Sequence, residues 1–71
     1  MAIDKEALKT LSVGERIKVL RGEQSQEELA SIVGVTPSAI GMYEQNRRMP
    51  RGQTQKAIAD YFGLLVDDLF F

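Results

Sequence analysis

Apolar residues recur three and four positions apart along nearly the whole chain, and no segment alternates apolar and polar residues as a half-buried strand would. The pattern predicts five helices, with room for an extra helical turn or two in front. The first opens at Ser12, whose hydroxyl can accept from the amide of Glu15 while the Glu15 carboxylate reaches back; Ile17 and Leu20 then face inward, and Gly22 ends the helix. Ser25 and Glu28 repeat that capping pair. Leu29, Ala30 and Val33 form the apolar stripe behind them, and Gly34 supplies a left-handed stop. Thr36-Pro37 reads as a cap followed by proline at the first helical position, opening a third helix that runs through Ile40 and Tyr43 to about Gln45. Asn46, which tolerates left-handed backbone better than most residues, provides the exit, and Pro50 closes the loop that follows. Residues 53–62 form the fourth helix, burying Ile58, Ala59 and Phe62 ahead of Gly63, and residues 66–71 form the last segment.

A chain of 71 residues with no internal repeat, linker or low-complexity tract is expected to be one domain, an extension over residues 1–11 leading into a core over 12–71. The absence of Cys and His removes disulfides, thiolate or imidazole metal sites, and any reaction scheme that uses those side chains, so no cofactor is expected. Catalysis has little to work with: Asp67-Asp68 is the only close acid pair outside the helix starts, and no metal partner accompanies it. The early apolar residues are interrupted by Asp4, Lys5, Glu6 and Lys9, unlike a secretory signal, and no apolar run approaches the roughly 20 residues of a membrane span. A cytoplasmic, non-enzymatic protein is the expectation.

Charge changes the picture through its distribution. The net charge is −1 and the pI is near 5.3, which by themselves argue against a polyanionic partner. Residues 36–56, however, carry Arg47, Arg48, Arg51 and Lys56 against the single acid Glu44, four positive charges less one negative, or +3, inside an acidic chain. That asymmetry marks one face for an anion.

The second and third helices, joined by Gly34-Val35-Thr36, have the spacing of a helix-turn-helix, whose second helix can lie in the major groove of DNA. Spacing of this kind is common in helical hairpins. The residue order adds more. Ser25-Gln26-Glu27-Glu28-Leu29-Ala30, then Gly34-Val35-Thr36, Ile40, Tyr43-Glu44 and Pro50 closely resemble the lambda-repressor-like helix-turn-helix family of phage repressors and Cro-type proteins. The resemblance runs from Gly14-Glu15-Arg16-Ile17 to Asp67-Asp68-Leu69-Phe70, with a connection near Gly22 shorter than the family's commonest form. It implies an all-α, compact five-helix domain that binds double-stranded DNA as a transcriptional regulator, most simply a repressor.

Carried over position by position, the resemblance implies that Gln26 holds a DNA phosphate at its helix start, while Pro37, Ser38, Gly41, Met42 and Gln45 face base edges and Ile40 and Tyr43 face the core. Ser25 and Gln26 alternatively do no more than cap their helix. Among the base-facing positions only Gln45 has a head group suited to bidentate readout, with Met42 suited to a thymine methyl and Gly41 to close approach. Asn46, Arg47, Arg48, Arg51 and Lys56 read as phosphate contacts beside that helix. Lys5, Lys9, Lys18 and Arg21, interleaved with acids, are expected on the opposite surface or in weak helix pairs.

Three features depart from the family pattern. Gly52 and Gln55 stand where leucine is usual. Ile32 stands where a charged residue is usual, to be covered by residues 1–9 or by a partner. The tail is more apolar than one thin helix needs: Leu64 and Leu69 suit the core, whereas Leu65, Phe70 and Phe71 could form a two-fold patch for a homodimer on a palindromic site. The competing reading is a protein-interaction module of the same fold with little DNA affinity, such as an antitoxin or accessory subunit.

Overall fold

The computed structural model describes residues 4–71, and within them six helices follow one another: α1 (Lys5–Lys9), α2 (Val13–Arg21), α3 (Gln26–Val33), α4 (Pro37–Glu44), α5 (Gly52–Tyr61) and α6 (Val66–Phe70). The five expected helices are α2 to α6, and α1 is the additional turn in front. Both Ser-x-x-Glu pairs form reciprocal caps: Ser12 Oγ accepts from Glu15 N at 3.2 Å while Ser12 N donates to Glu15 Oε1 at 3.0 Å, and Ser25 and Glu28 repeat the arrangement. Thr36 Oγ1 accepts from Ala39 N at 3.1 Å, with Pro37 at the helix start. Gly34 leaves α3 in the left-handed conformation at φ 78°, and Asn46 takes φ 59° after α4. α5 begins at Gly52 and ends at Tyr61, so it is displaced one residue from the expected span, and Phe62 is only half-buried.

The core is formed by Ile17 of α2, Leu29, Ala30 and Val33 of α3, Ala39, Ile40 and Tyr43 of α4, Ile58 and Ala59 of α5, and Leu69 and Phe70 of α6. Ile17, Leu29, Ile40, Ile58 and Leu69 are fully enclosed, one from each of the five longer-range elements, so every helix after α1 contributes a side chain to the centre. Burial of side chains of this size stabilises by about 1.5–3 kcal/mol each, which is how short helices that would not persist alone are held. α3 packs on α4, α2 crosses α4, and α5 and α6 close the other side.

α1 docks on α6. Its Leu8 is buried, Lys5 Nζ sits 3.3 Å from Asp68 Oδ2, and Lys9 Nζ donates to the carbonyl of Asp67. Lys5 and Lys9 are therefore cross-helix partners of the tail and not i,i+4 pairs. Arg16, nearly enclosed on α2, ties this corner together: its Nε donates to Leu8 O at 2.8 Å and Leu11 O at 3.0 Å, and its Nη1 to Leu69 O and Phe71 O, both at 3.2 Å. Those carbonyls lie at the carboxyl ends of α1 and α6 and in the loop after α1, where backbone acceptors outnumber backbone donors. Because α1 lies against α6, its described residues do not cover Ile32, which stays 51% exposed on α3; residues 1–3, the rest of the expected cover, lie outside the described residues. Phe70, expected on a free two-fold patch, is instead 4% exposed, because α6 turns both Leu69 and Phe70 beneath α1 and α2. Leu65 and Phe71 alone of that trio face outward. Among the described residues no helix is long and apolar enough to cross a membrane.

Candidate nucleic-acid interface

The outward side of α4 follows from its inward one. Ala39, Ile40 and Tyr43 are three and four apart and point to the core, so Pro37, Ser38 and Gln45 are left exposed and Gly41 and Met42 half-exposed along the other face. The five residues expected at base edges are thus brought to one continuous strip. Arg47, Arg48, Met49 and Arg51 follow directly, all exposed, and the three arginines make no ion pair among the described residues. Arg47, Arg48 and Met49, with Val13, Tyr43 and Asn46, line an open hollow of about 310 Å³. Lys56 sits further along on α5 and is differently placed. Its Nζ lies 3.1 Å from Asp60 Oδ2 one helical turn on, so the charge it brings is locally balanced by an acid, although an exposed pair of this kind is worth only about 0–1 kcal/mol.

Asn46 does not have the free side chain expected of a phosphate contact. Its Oδ1 accepts from Gly14 N at 2.9 Å and its Nδ2 donates to Ser12 Oγ at 3.0 Å, so the amide is spent on holding the first turn of α2. The same crossing explains Gly14: a Cβ there would stand 2.4 Å from Glu44 O and 2.6 Å from Tyr43 O, which only glycine avoids. The amino end of α2 is thereby pressed against the carboxyl end of α4, where the helix dipoles attract.

Arg21 also lies elsewhere than expected. It is not on the opposite surface but on the stripe of α2 that faces α4, seven residues after Gly14, and it forms a two-pronged pair with Glu44: Nε to Oε2 at 2.7 Å and Nη2 to Oε1 at 3.1 Å. The side chains are 15% and 4% exposed. Hydrogen bonding to Glu44 raises the Arg21 pKa above its usual value, against a smaller opposing effect of burial. Arg21 Nη1 further donates to Gln24 O at 2.6 Å, closing the short connection between α2 and α3. Gln26, half-buried at the start of α3, directs Nε2 to Glu44 Oε1 at 3.0 Å. Glu44 was the lone acid in the basic stretch, and that isolation was the available signal that it is paired internally. Arg21 gave a weaker one, its spacing from Gly14.

The arrangement therefore presents a polar strip on α4, three unpaired arginines beyond its end, and a fixed amide at the start of the preceding helix. A helix-turn-helix family model matches residues 17–69, three quarters of the chain and all of α3 and α4. The chain belongs to the lambda-repressor-like helix-turn-helix family. It is similar, at 29% identity and a TM-score of 0.81, to the P22 c2 repressor protein in a crystal structure with synthetic operator 9T in the presence of Tl+, a likeness covering 84% of this chain and 94% of that one. No curated protein matches the sequence. The match begins inside α2 and ends within α6, so α1 lies upstream of the matched segment while most of α6, on which it docks, lies within it.

Proposed function

We propose that this chain is a DNA-binding transcriptional regulator, a repressor that works by occupying an operator and not by chemistry. The observation that carries the proposal is the exposed strip of α4 followed directly by Arg47, Arg48 and Arg51, exposed cations outside every ion pair of the described residues in a chain whose net charge is −1. α4 enters the major groove with Pro37, Ser38, Met42 and Gln45 at base edges and Gly41 permitting close approach, while Gln26 and the arginines seat the phosphates. The operator bound by the P22 c2 repressor in its crystal structure supports the same reading. With one strong reading head group, discrimination rests largely on DNA shape and water-mediated contact.

The regulator acts as a homodimer on a palindromic site, which sets two α4 helices roughly 34 Å apart, one duplex turn. Leu65 and Phe71, 67% and 73% exposed, are the side chains on offer for the two-fold contact. Two residues provide far less than the ~1,200 Å² of a stable interface, so the free protein is expected to sediment as a monomer and to pair on DNA.

Fluorescence anisotropy with a nonspecific duplex at several salt concentrations tests the proposal. Three arginine contacts per chain predict a log-log slope of about −3 per protomer, at about −0.9 per phosphate. Absence of salt-dependent binding at low ionic strength overturns the proposal and favours a protein-interaction module of the same fold.

A further inference from the structure

Glu44 poses a physical problem for a surface meant to hold a polyanion. It lies on the reading helix itself, next to Gln45, and carries the same sign as the phosphates. Simple electrostatics would have it weaken binding, yet it is almost enclosed and accepts from three donors on two other elements: Arg21 Nε and Nη2 on α2 and Gln26 Nε2 on α3. Both charges of the pair are mutually satisfied, so Glu44 projects little field outward, and its remaining influence passes through the amide of Gln26.

We propose that Glu44, held by Arg21, is a positioning residue that fixes the orientation of the Gln26 side-chain amide and so presents a hydrogen-bond donor, and not an acceptor, to a duplex phosphate. This inference rests on the DNA-binding function proposed above. The amide of glutamine can rotate half a turn at little cost and would then turn Oε1 where Nε2 stands. A phosphate is attracted to one orientation and repelled by the other. Glu44 accepts only from N–H, so it pins Nε2; the second N–H on that nitrogen remains free for the anion, and charge on Glu44 polarises it toward stronger donation. The side of α4 next to the amide is left open by Gly41, where an added Cβ would stand 3.7 Å from Gln26 Oε1 and 3.9 Å from Nε2. Because Glu44 and Gln45 are consecutive, the relay also sets the distance between the phosphate anchor on α3 and the base-reading head group on α4.

The test is a double-mutant cycle on the full chain, read by anisotropy with a nonspecific duplex. Glu44→Gln removes a negative charge from the DNA side and is expected to weaken binding about tenfold, as loss of a charge-assisted hydrogen bond would, whereas unassisted electrostatics predicts tightening. On a Gln26→Ala background the same substitution is expected to change affinity less than twofold. An equal loss on both backgrounds would mean that Glu44 acts through the fold alone, and tighter binding by Glu44→Gln would overturn the relay. Removing one member of an enclosed ion pair can unfold a small domain, so the paired substitution Arg21→Met with Glu44→Met, which leaves no unpaired charge, serves as a second variant with the same expectation. A readout independent of DNA separates this inference from the function on which it rests. In the free wild-type protein the two Gln26 Nε2 protons are expected to give well-separated NMR signals with slowed exchange that collapse to ordinary values in the paired variant. Ordinary values in the wild type would sink the relay even if the protein binds DNA, and distinct values without DNA binding would leave the amide fixed but the proposed function refuted.

Discussion

Two glycines of the interface are alike in sequence and opposite in physical role. At Gly14 the added methyl of alanine would meet backbone carbonyl oxygens of α4 at 2.4 and 2.6 Å, atoms that cannot swing aside as a flexible side chain could. Gly14→Ala must push α2 off α4, and is expected to destabilise by about 2–3 kcal/mol, the upper range for overpacking. Gly41 stands in mid-helix without a positive φ, and its nearest neighbours would be at ordinary contact distance. Gly41→Ala therefore gains helix propensity without a clash and is expected to stabilise by about 0.5–1 kcal/mol. Urea denaturation of both variants checks the pair, and destabilisation by Gly41→Ala would show that the amide of Gln26 needs more room than the distances allow. Asn46 makes a related point. Its left-handed backbone was legible from residue type, but its side-chain role was not, because the groups it binds, Gly14 N and Ser12 Oγ, are more than 30 residues away in the chain. Residue identity shows what a side chain can bind; only the packing of α2 across α4 shows what it does bind.

Among the helices, the ends explain most of what could be read in advance. α2, α3 and α4 each begin with a hydroxyl that caps an amide, signals local enough to be read within four residues. α5 lacks one: its N-cap is Arg51, which makes no side-chain cap, and its first residue is Gly52. Nothing local marked that start, and α5 was accordingly expected one residue later. The long-range arrangement of α1 and α6 was illegible for a similar reason, since an apolar tail is equally consistent with a free patch and with a buried one until the position of Leu8 and Arg16 is known. The uncapped start of α5 sets up an opposition between stability and binding. Arg51→Ser supplies the missing hydroxyl and is expected to stabilise by about 1 kcal/mol. The same change removes an exposed cation beside α4, and the salt slope of duplex binding is expected to fall in magnitude by about one unit. Thermal unfolding and anisotropy together check it; a higher melting temperature with an unchanged slope would remove Arg51 from the phosphate contacts.

At the scale of the molecule the chain has two ends with different work. α3, α4 and the arginine loop carry the polar strip, and the α1–α6 corner carries much of the tertiary closure, with Leu8 buried and Arg16 binding carbonyls of both helices. Leu8→Ala is expected to cost about 2–3 kcal/mol, as truncation of an enclosed leucine does, while leaving the salt slope of the folded protein unchanged, because among the described residues neither Gln26 nor the three arginines proposed to seat phosphates has a side-chain hydrogen bond or ion pair to that corner. A reduced slope at a temperature where the variant is fully folded would show that α1 communicates with the interface. The same corner also makes stability depend on acid. The Asp68 carboxyl is held below its usual pKa, first by the Leu65 N–H at 3.1 Å and then by Lys5; Glu15 at the α2 cap is lowered by the backbone N–H of Ser12. A carboxyl whose folded pKa is depressed binds its proton less readily in the folded state, so its contribution is complete above the unfolded pKa, about 3.9 for Asp and 4.3 for Glu, and disappears as pH falls through the lower folded value. Stability should thus be level with respect to these two groups from neutrality down to about pH 5, then decline toward pH 2. Asp68→Asn is expected to lower stability at neutral pH and to make the acid limb shallower, since the variant has already lost what acid would remove from the wild type. Chemical denaturation at fixed intervals from pH 7 to about pH 2 measures both curves. Parallel curves, displaced by a constant amount down to the most acid point, would mean that Asp68 holds α6 by shape and hydrogen bonding alone and that its charge contributes nothing to the closure of the fold.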